Sequence, residues 1–362
     1  MQTKLDIHDF WVNQTKGSKQ AVWLRSHVRL SRNLNGFPFS DQARPEQKSE
    51  ITHQIQKAIQ TLPTFSKDFV SLDWGMCSEH ERSLLKTLCC LQDPCDETRI
   101  WLNRKEQYWC VSNDGDHLRL HARTHLWDLK RIWKKLDALD SQLESLLVYT
   151  FDPKTGYATC EPETYGNGLA ITAIAHLPGI GFVQKTPQIT EALNEMALSI
   201  TAQQMANSKP LGHLFLINNK TALGCSEVEL LEHMDQQIRH LVEVEMRTRH
   251  EIFQQNTSFL KDSIGRSLGL LRNCFELNFE EAMNLLSLVR MAIDLELIHG
   301  IKPESLNALW NMMPSMNLKE FCPSDCLVKD ENCIRADVVR SFFSKISNLS
   351  LKKGLKEVSY AS

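Results

Sequence analysis

The sequence predicts an α+β fold followed by an all-helical C-terminal part. Two observations carry this. The first three-fifths mixes short strand signals with helical stretches, whereas after about Ser226 the apolar spacing is helical throughout. The polar stretch Gln254 to Ser258 then marks a boundary, giving a domain over 1–255, a helical domain over 256–350 and a tail over 351–362.

Each element has its own signal. Val22, Leu24, Ser26, Val28 and Leu30 alternate with Trp23, Arg25, His27, Arg29 and Ser31, the period-two pattern of a strand with one polar, cationic face. Trp109-Cys110-Val111, then Asn113 to Asp116, then His117 to His121 reads as a hairpin turned by Asp-Gly. His117, Arg119 and His121 share its polar face, with Leu118 and Leu120 toward the core. A helical run covers Trp127 to Leu139. Thr150 to Tyr157 is a further turn, leading into the loop Cys160 to Gly168, and that loop is expected to feed a helical run from Leu169 to Leu177. Ser226-Glu227-Val228-Glu229 has the form of a capping box, and a long amphipathic helix follows to about Phe253. Further helices are expected across Leu268 to Ile298 and over Glu304 to Met312, with no internal repeat and no low-complexity segment.

Composition excludes several classes. With 42% hydrophobic and 23% charged residues the chain is globular, and a formal charge of -3 leaves no overall basic field for nucleic acid or an anionic membrane. No apolar run approaches the roughly 20 residues of a membrane span, and Asp6 and Asp9 stand where a signal peptide is apolar, so a cytoplasmic protein is expected. The 11 cysteines are scattered and odd in number, which suits reduced thiols. Cys322, Cys326 and Cys333 lack the paired spacing of a zinc ribbon and have no nearby His, and Cys89, Cys90 and Cys95 match less well, so no metal is expected.

Three colinear stretches carry a family resemblance. Arg25-Ser26-His27-Val28-Arg29-Leu30-Ser31-Arg32-Asn33-Leu34, followed by Gly36-Phe37-Pro38, resembles the S-x-R-x-R-x-x-R-x-L…FP segment of guanidino kinases. Asn113 to Arg119 is similar to their N-E-E-D-H-L-R hairpin, and Gly156-Tyr157 through Pro178 to their G-Y…C-P-x-N-x-G-T-G-x-R…HLP segment. Gly212 to Phe215 and Leu223 to Glu227 extend the likeness to protein-arginine kinases of the McsB type, members of the phosphagen-kinase superfamily. The resemblance implies an antiparallel sheet flanked by helices plus an appended helical domain. It also implies a reaction, transfer of the ATP γ-phosphoryl group to arginine, which needs fixed cations and Mg²⁺ around the phosphates and carboxylates to align the guanidinium and take its proton.

Carried over residue by residue, that chemistry is mostly missing. A residual nucleotide phosphate site falls on Ser26, His27, Arg29 and Arg119, with His27 replacing an arginine. Two further phosphate arginines fall on Ala170 and Thr201. The two catalytic glutamates fall on Gly115 and Ala206, and the reactive cysteine on Glu161, with Cys160 one residue early. Glu161 and Glu163 stand as candidate substitute acids at positions that match the thiol. Gly166 and Gly168 are expected to keep the loop's backbone, and His117 to brace its hairpin. In the C-terminal part, Glu331 to Ala336 occupies the place of the R-D-x-x-R-A phosphoarginine motif, and Arg335 is its surviving regulatory position.

The expectation is therefore a pseudokinase with at most a weak Mg-ATP site. It would act through protein partners, including components of stress response or proteolysis, as a homo-oligomer that engages neither nucleic acid nor membrane. A divergent active protein-arginine kinase, a nucleotide-binding sensor without transfer, and a secretion or chaperone accessory stay open as alternatives.

Overall fold

In a computed structural model, eight antiparallel strands form the sheet that positions His27, Arg29, Arg119 and His121. Residues 22–62, 69–103, 108–124, 127–183, 191, 198–204, 210–220, 224–314, 318, 330–346 and 350–351 are described. The strands are β1 (Trp23–Arg32), β2 (Phe69–Asp73), β3 (Pro94–Asn103), β4 (Tyr108–Asp114) and β5 (Asp116–Thr124). After a separate small hairpin of β6 (Phe151–Asp152) and β7 (Gly156–Tyr157) come β8 (Leu169–His176), β9 (Leu198–Gln204) and β10 (Pro210–Asn219). The order across the large sheet is β2-β3-β4-β5-β1-β8-β10-β9. β1 is therefore central, with Arg29 opposite His121 of β5 on one side and Ala170 of β8 on the other.

One sheet face is apolar and covered by three helices, α1 (Pro45–Thr61), α3 (Leu129–Glu144) and α5 (Glu227–Gln255). Val28, Leu30, Leu118, Leu120, Ile171 and Ile217 meet Ile51, Ile55, Leu143 and Met234 there, all essentially without solvent contact. The helix α2 (Glu79–Leu88) lies over a smaller cluster of Trp74, Leu85, Trp109 and Val111. The expected hairpin is present: Asp114 pairs with Asp116 around Gly115, whose φ of 77° is the left-handed conformation that glycine adopts without strain. The expected capping box opens α5, with the Ser226 hydroxyl accepting the Glu229 N–H at 3.3 Å.

Two expectations are overturned. Leu169 to Leu177 is a strand, not a helix: Leu169, Ile171, Ala173 and Ala175 are fully buried and alternate with the half-exposed Ala170, Thr172 and Ile174. Its alanines favour helix in isolation, but pairing on both sides, to β1 and β10, overrides that weak preference. In β1 the alternation breaks between Trp23 and Arg25, where the pairing register with β8 shifts. Trp23 consequently joins Val28 and Leu30 in the main core, while Leu24 packs with a second cluster.

That second cluster belongs to the helices after Asn256, namely α6 (Thr257–Asn273), α7 (Phe279–Asp294), α8 (Pro303–Met312) and α9 (Glu331–Ser344), with a small pair of strands β11 (Ile298–His299) and β12 (Ser350–Leu351). Leu286, Val289, Leu297 and Ile298 are buried in it, and Leu211 and Leu214 of β10 reach into it from the sheet. Among the described residues no helix is long and apolar enough to cross a membrane.

A buried ionic network ties these parts together. Glu245 on α5 accepts the N–H groups of Gly179 at 2.8 Å and Ile180 at 2.9 Å, in the short helix α4 (Pro178–Phe182) that follows β8. Arg249, one turn along, pairs with Glu245 and with Asp294 of α7 at 2.9 Å and donates to the His176 carbonyl at 2.8 Å. Arg290 completes the set by meeting Asp294 at 3.3 Å. Removing one member of such a buried network strands its partners' charges. Arg249→Ala is expected to destabilise the chain by about 3–5 kcal/mol in urea denaturation; a loss under about 1 kcal/mol would show that the network carries little of the packing between sheet and helices.

Candidate functional site

The polar sheet face opens into a cleft of about 570 Å³ lined by His27, Arg29, Glu161, Thr172, Ser199 and Asn218, among others. Strand alternation explains the set. Arg29 and His27 project from β1, and His121 and Arg119 come from β5 in the paired register, all on the face opposite α1, α3 and α5. The loop after β7 then places Glu161 over them. Its backbone is pinned: the Glu161 carbonyl accepts from the Thr159 hydroxyl at 3.0 Å and from the Thr164 hydroxyl and N–H at 3.1 Å each. Gly166 and Gly168 close the loop with φ of 115° and 76°, and the space beside Gly168 is filled by the Arg32 guanidinium and the Ser31 carbonyl, so only glycine fits.

Glu161 bridges the two arginines. One carboxylate oxygen pairs with Arg29 Nη2, and the other lies 2.9 Å from Arg119 Nη2. Arg119 is further engaged by Asp114 at 3.2 Å, by Asp116 at 3.3 Å and by the Gln92 side-chain oxygen. Both guanidiniums are buried, Arg29 at 7% exposure and Arg119 at 1%, whereas the Glu161 side chain is 26% exposed. Two guanidiniums against the carboxylates of Glu161, Asp114 and Asp116 leave the contact set with one negative charge. A phosphate cradle needs the opposite sign.

Nearby titratable groups reinforce this. Burial lowers the pKa of Arg29, as does Arg119 beside it, against the raising pull of Glu161. His27 and His121 stack on Trp109, with ring centres 5.0 to 5.5 Å apart, and His27 Nε2 lies 3.0 Å from His121 Nδ1. Burial first, and the surrounding arginines second, push both imidazoles well below their usual pKa, so His27 adds no cation at neutral pH. Burial resists ionisation of Asp116, but Arg119 and hydrogen bonds from the Cys160 N–H and Asn33 prevail and hold its carboxyl low.

Ser26 does not join the cleft: alternation turns it to the core face, where it is fully buried and accepts the Trp23 indole N–H at 2.8 Å. Ala170 lines the cleft without a polar group, Thr201 is exposed on β9, Glu163 stands exposed on the rim, and Ala206 lies outside the described residues. At Gly115 a side chain would begin 2.5 Å from Arg119 Nη2, so that guanidinium fills the space a larger residue there would need. His117 Nδ1 accepts the Leu34 N–H at 2.9 Å and its Nε2 donates to the Pro38 carbonyl at 2.8 Å, tying the hairpin to the segment after β1. Arg335 is 1% exposed and spends its guanidinium on the Met313 and Leu277 carbonyls and Asn332, each at 2.9 Å, outside the cleft. Cys322 and Cys326 lie outside the described residues, and among the described ones no three His, Cys, Asp or Glu side chains are grouped to hold a metal. Sequence reasoning missed Gln92, Asp114, Asp116 and His121. The Asp-Gly-Asp turn with an arginine three residues later was the available signal for the aspartates.

Residues 50–248 match the family model of the ATP:guanido phosphotransferase C-terminal catalytic domain. The chain belongs to that family. Residues 257–354 match the protein-arginine kinase McsB C-terminal domain, the second part of a protein-arginine kinase homologue. The chain is 29% identical to the protein-arginine kinase of Clostridium acetobutylicum, over 91% of this chain and 98% of that one. It is 26% identical to that of Pelotomaculum thermopropionicum, over 95% and 98%. In fold it is similar to the duplicated taurocyamine kinase of Schistosoma mansoni, with TM-score 0.58 and 19% identity over 67% of this chain, which spans 37% of that longer one. It is also similar to a lombricine kinase, with TM-score 0.55 and 17% identity over 65% of this chain and 70% of that one.

The guanido phosphotransferase family uses ATP with Mg²⁺, and the residues of this cleft do not fit that group. Its arginines already hold carboxylates, and its imidazoles are neutral. Nor does Cys160 offer a nucleophile. It is exposed, but its thiol donates to the Gly115 carbonyl at 3.1 Å, and burial of the sulfur, with Asp116 beside it, pushes its pKa up to about 12 from 9.0. Iodoacetamide at pH 8 is expected to alkylate Cys160 about a hundred- to a thousandfold more slowly than an ordinary exposed thiol, with the rate climbing as pH rises toward 12. Peptide mapping by mass spectrometry reads this site by site, and ordinary reactivity at pH 8 would show that the thiol is not held protonated.

Proposed function

We propose that this protein-arginine kinase homologue is a pseudokinase, a folded phosphagen-kinase scaffold that acts through protein contacts. The observation that carries the reading is the Arg119 guanidinium standing 2.5 Å from where a side chain at Gly115 would begin, with Asp114, Asp116 and Glu161 around it. A cation fills the place where transfer to a guanidinium needs a carboxylate. Asp114, Asp116 and Glu161 are committed to arginines and are not free to align an incoming guanidinium and accept its proton, and Glu163 stands exposed on the rim. Each lost donor or acid costs about 10²- to 10³-fold in rate, and the losses at His27, Gly115 and Ala170 converge on one centre. Protein contact is supported by apolar surface on the C-terminal part, where Phe259 and Leu270 of α6 are 65% and 46% exposed and Phe275 in the loop after it is 80% exposed. Partners in stress response or proteolysis, and self-association, belong to this proposal.

The test uses the purified full chain with Mg-ATP and either free arginine or an arginine-rich protein, read for phosphoarginine by ³¹P NMR and mass spectrometry. No phosphoarginine is expected, and Gly115→Glu alone is expected to restore none, because Arg119 holds the space. Measurable turnover that disappears in Glu161→Gln would overturn the reading, since it would make Glu161 a working acid.

A further inference from the structure

Two hydrophobic cores meet at a small junction. Among the described residues the sheet contributes Leu211 and Leu214 as buried members of the second core, with Leu24 and Ile174 packed at its edge. Polar contacts fasten the two together. His176, at the end of β8, sets its ring Nε2 2.8 Å from the Ser287 hydroxyl of α7, its carbonyl is held by Arg249, and the Gly212 N–H donates to the Asn284 side chain at 2.9 Å. His176 is fully buried, and its Nδ1 has no hydrogen-bond partner among the described residues, as is true of His213 Nδ1 and of Trp310 Nε1. The Trp310 ring stands edge-on to His176 with centres 5.0 Å apart, and His213 stacks on Phe182. An unprotonated ring nitrogen tolerates such a place. A second N–H there would be a buried donor without an acceptor and a buried charge. Around the ring, α5 presents Arg249 and Glu245, α7 presents Arg290 and Asp294, and β10 presents His213; α8 presents the uncharged Trp310, and its half-exposed Glu304 attracts Arg290. The two guanidiniums and two carboxylates balance, so a charged His176 would leave a buried excess of one. Burial first, then Arg249, Arg290 and His213, hold the His176 imidazole well below its usual pKa, and burial, with Arg249 adding, lowers His213 to about 4.

We propose that this junction is an acid-released latch: a proton on His176 breaks the contact between β8 and α7 and frees the helical part from the sheet while both cores stay folded. An imidazole that the closed junction keeps neutral takes up its proton when the junction opens. The latch is therefore shut above about pH 6.5, the ordinary imidazole value, and loosens as pH falls below it. Each histidine multiplies the opening constant by about tenfold per pH unit in that range, His213 until its own value of about 4 is reached. Asp294 works in the opposite direction, because burial raises its carboxyl and its protonation favours the closed state. Opening uncovers Leu24, Ile174, Leu211 and Leu214, apolar surface that the closed chain keeps covered. The inference is independent of the pseudokinase reading, since none of these residues lines the cleft.

Hydrogen exchange of the full chain between pH 8 and pH 4, corrected for the intrinsic pH dependence of amide exchange and read by peptide mass spectrometry, tests this. Protection across residues 283–294 and 211–214 is expected to fall reversibly by about thirtyfold or more from pH 8 to pH 5, while β4 and β5 in the sheet keep theirs. His176→Gln can still hydrogen-bond Ser287 but cannot ionise, and it is expected to reduce that fall at least about tenfold. Unchanged protection in the wild type, a fall that spreads equally to β4 and β5, or a full fall in His176→Gln overturns the proposal. Should that variant not fold, the wild-type profile decides: loss that begins near pH 6.5 supports the latch, and loss that begins only below about pH 4.5, where carboxylates titrate, rejects it.

Discussion

Two buried guanidiniums on neighbouring strands repel each other, and this cleft exists in its present form because Glu161 stands between them. Arg29 and Arg119 lie on adjacent strands in the middle of the sheet, where solvent cannot screen them. An arginine so placed needs an anion. In a working phosphoryl-transfer site the nucleotide supplies it on binding, and the empty state tolerates the mismatch with water and mobile ions. Here the chain supplies its own, and the loop that carries Glu161 is fixed by threonines on both sides and by glycines that close it.

The consequence reaches beyond one ion pair. With its guanidinium drawn toward Glu161, Asp114 and Asp116, Arg119 fills the volume above Gly115. His27 has stacked with His121 and Trp109 into a neutral aromatic layer where a cation is expected from the family pattern. Cys160 has become a hydrogen-bond donor to the hairpin backbone. On the polar face Arg29 and Arg119 are held by the chain's own carboxylates, while the Glu245–Arg249–Asp294–Arg290 network joins the end of β8 to the C-terminal helices. The framework that connects the cleft to the helical part is thus built from residues outside the cleft.

Much of this was legible in the sequence, and the failures have physical causes. The Asp-Gly hairpin and the α5 capping box are local devices, and both were found from a few adjacent residues. β8 was misread because Leu169 to Leu177 carries three alanines, and its strand state is imposed by neighbours on either side, which no local pattern contains. Trp23 was put on the wrong face because one register shift inverts an alternation. At the cleft, the positions of Arg29, Arg119 and Glu161 were identified from motif resemblance. That Glu161 closes on Arg29 across 132 residues of chain, and that Gln92 reaches Arg119 from the loop after α2, required the fold.

Arg29 and Arg119 are occupied by the protein's own carboxylates, and the proposed function requires that they be unavailable to a nucleotide. Calorimetric titration of Mg-ATP into the wild-type chain tests it most directly. The account predicts a dissociation constant no tighter than the high micromolar range, or about -4 to -6 kcal/mol of binding free energy. A submicromolar constant that is lost on Arg119→Ala would contradict it, because it would show that Arg119 remains free to hold phosphate.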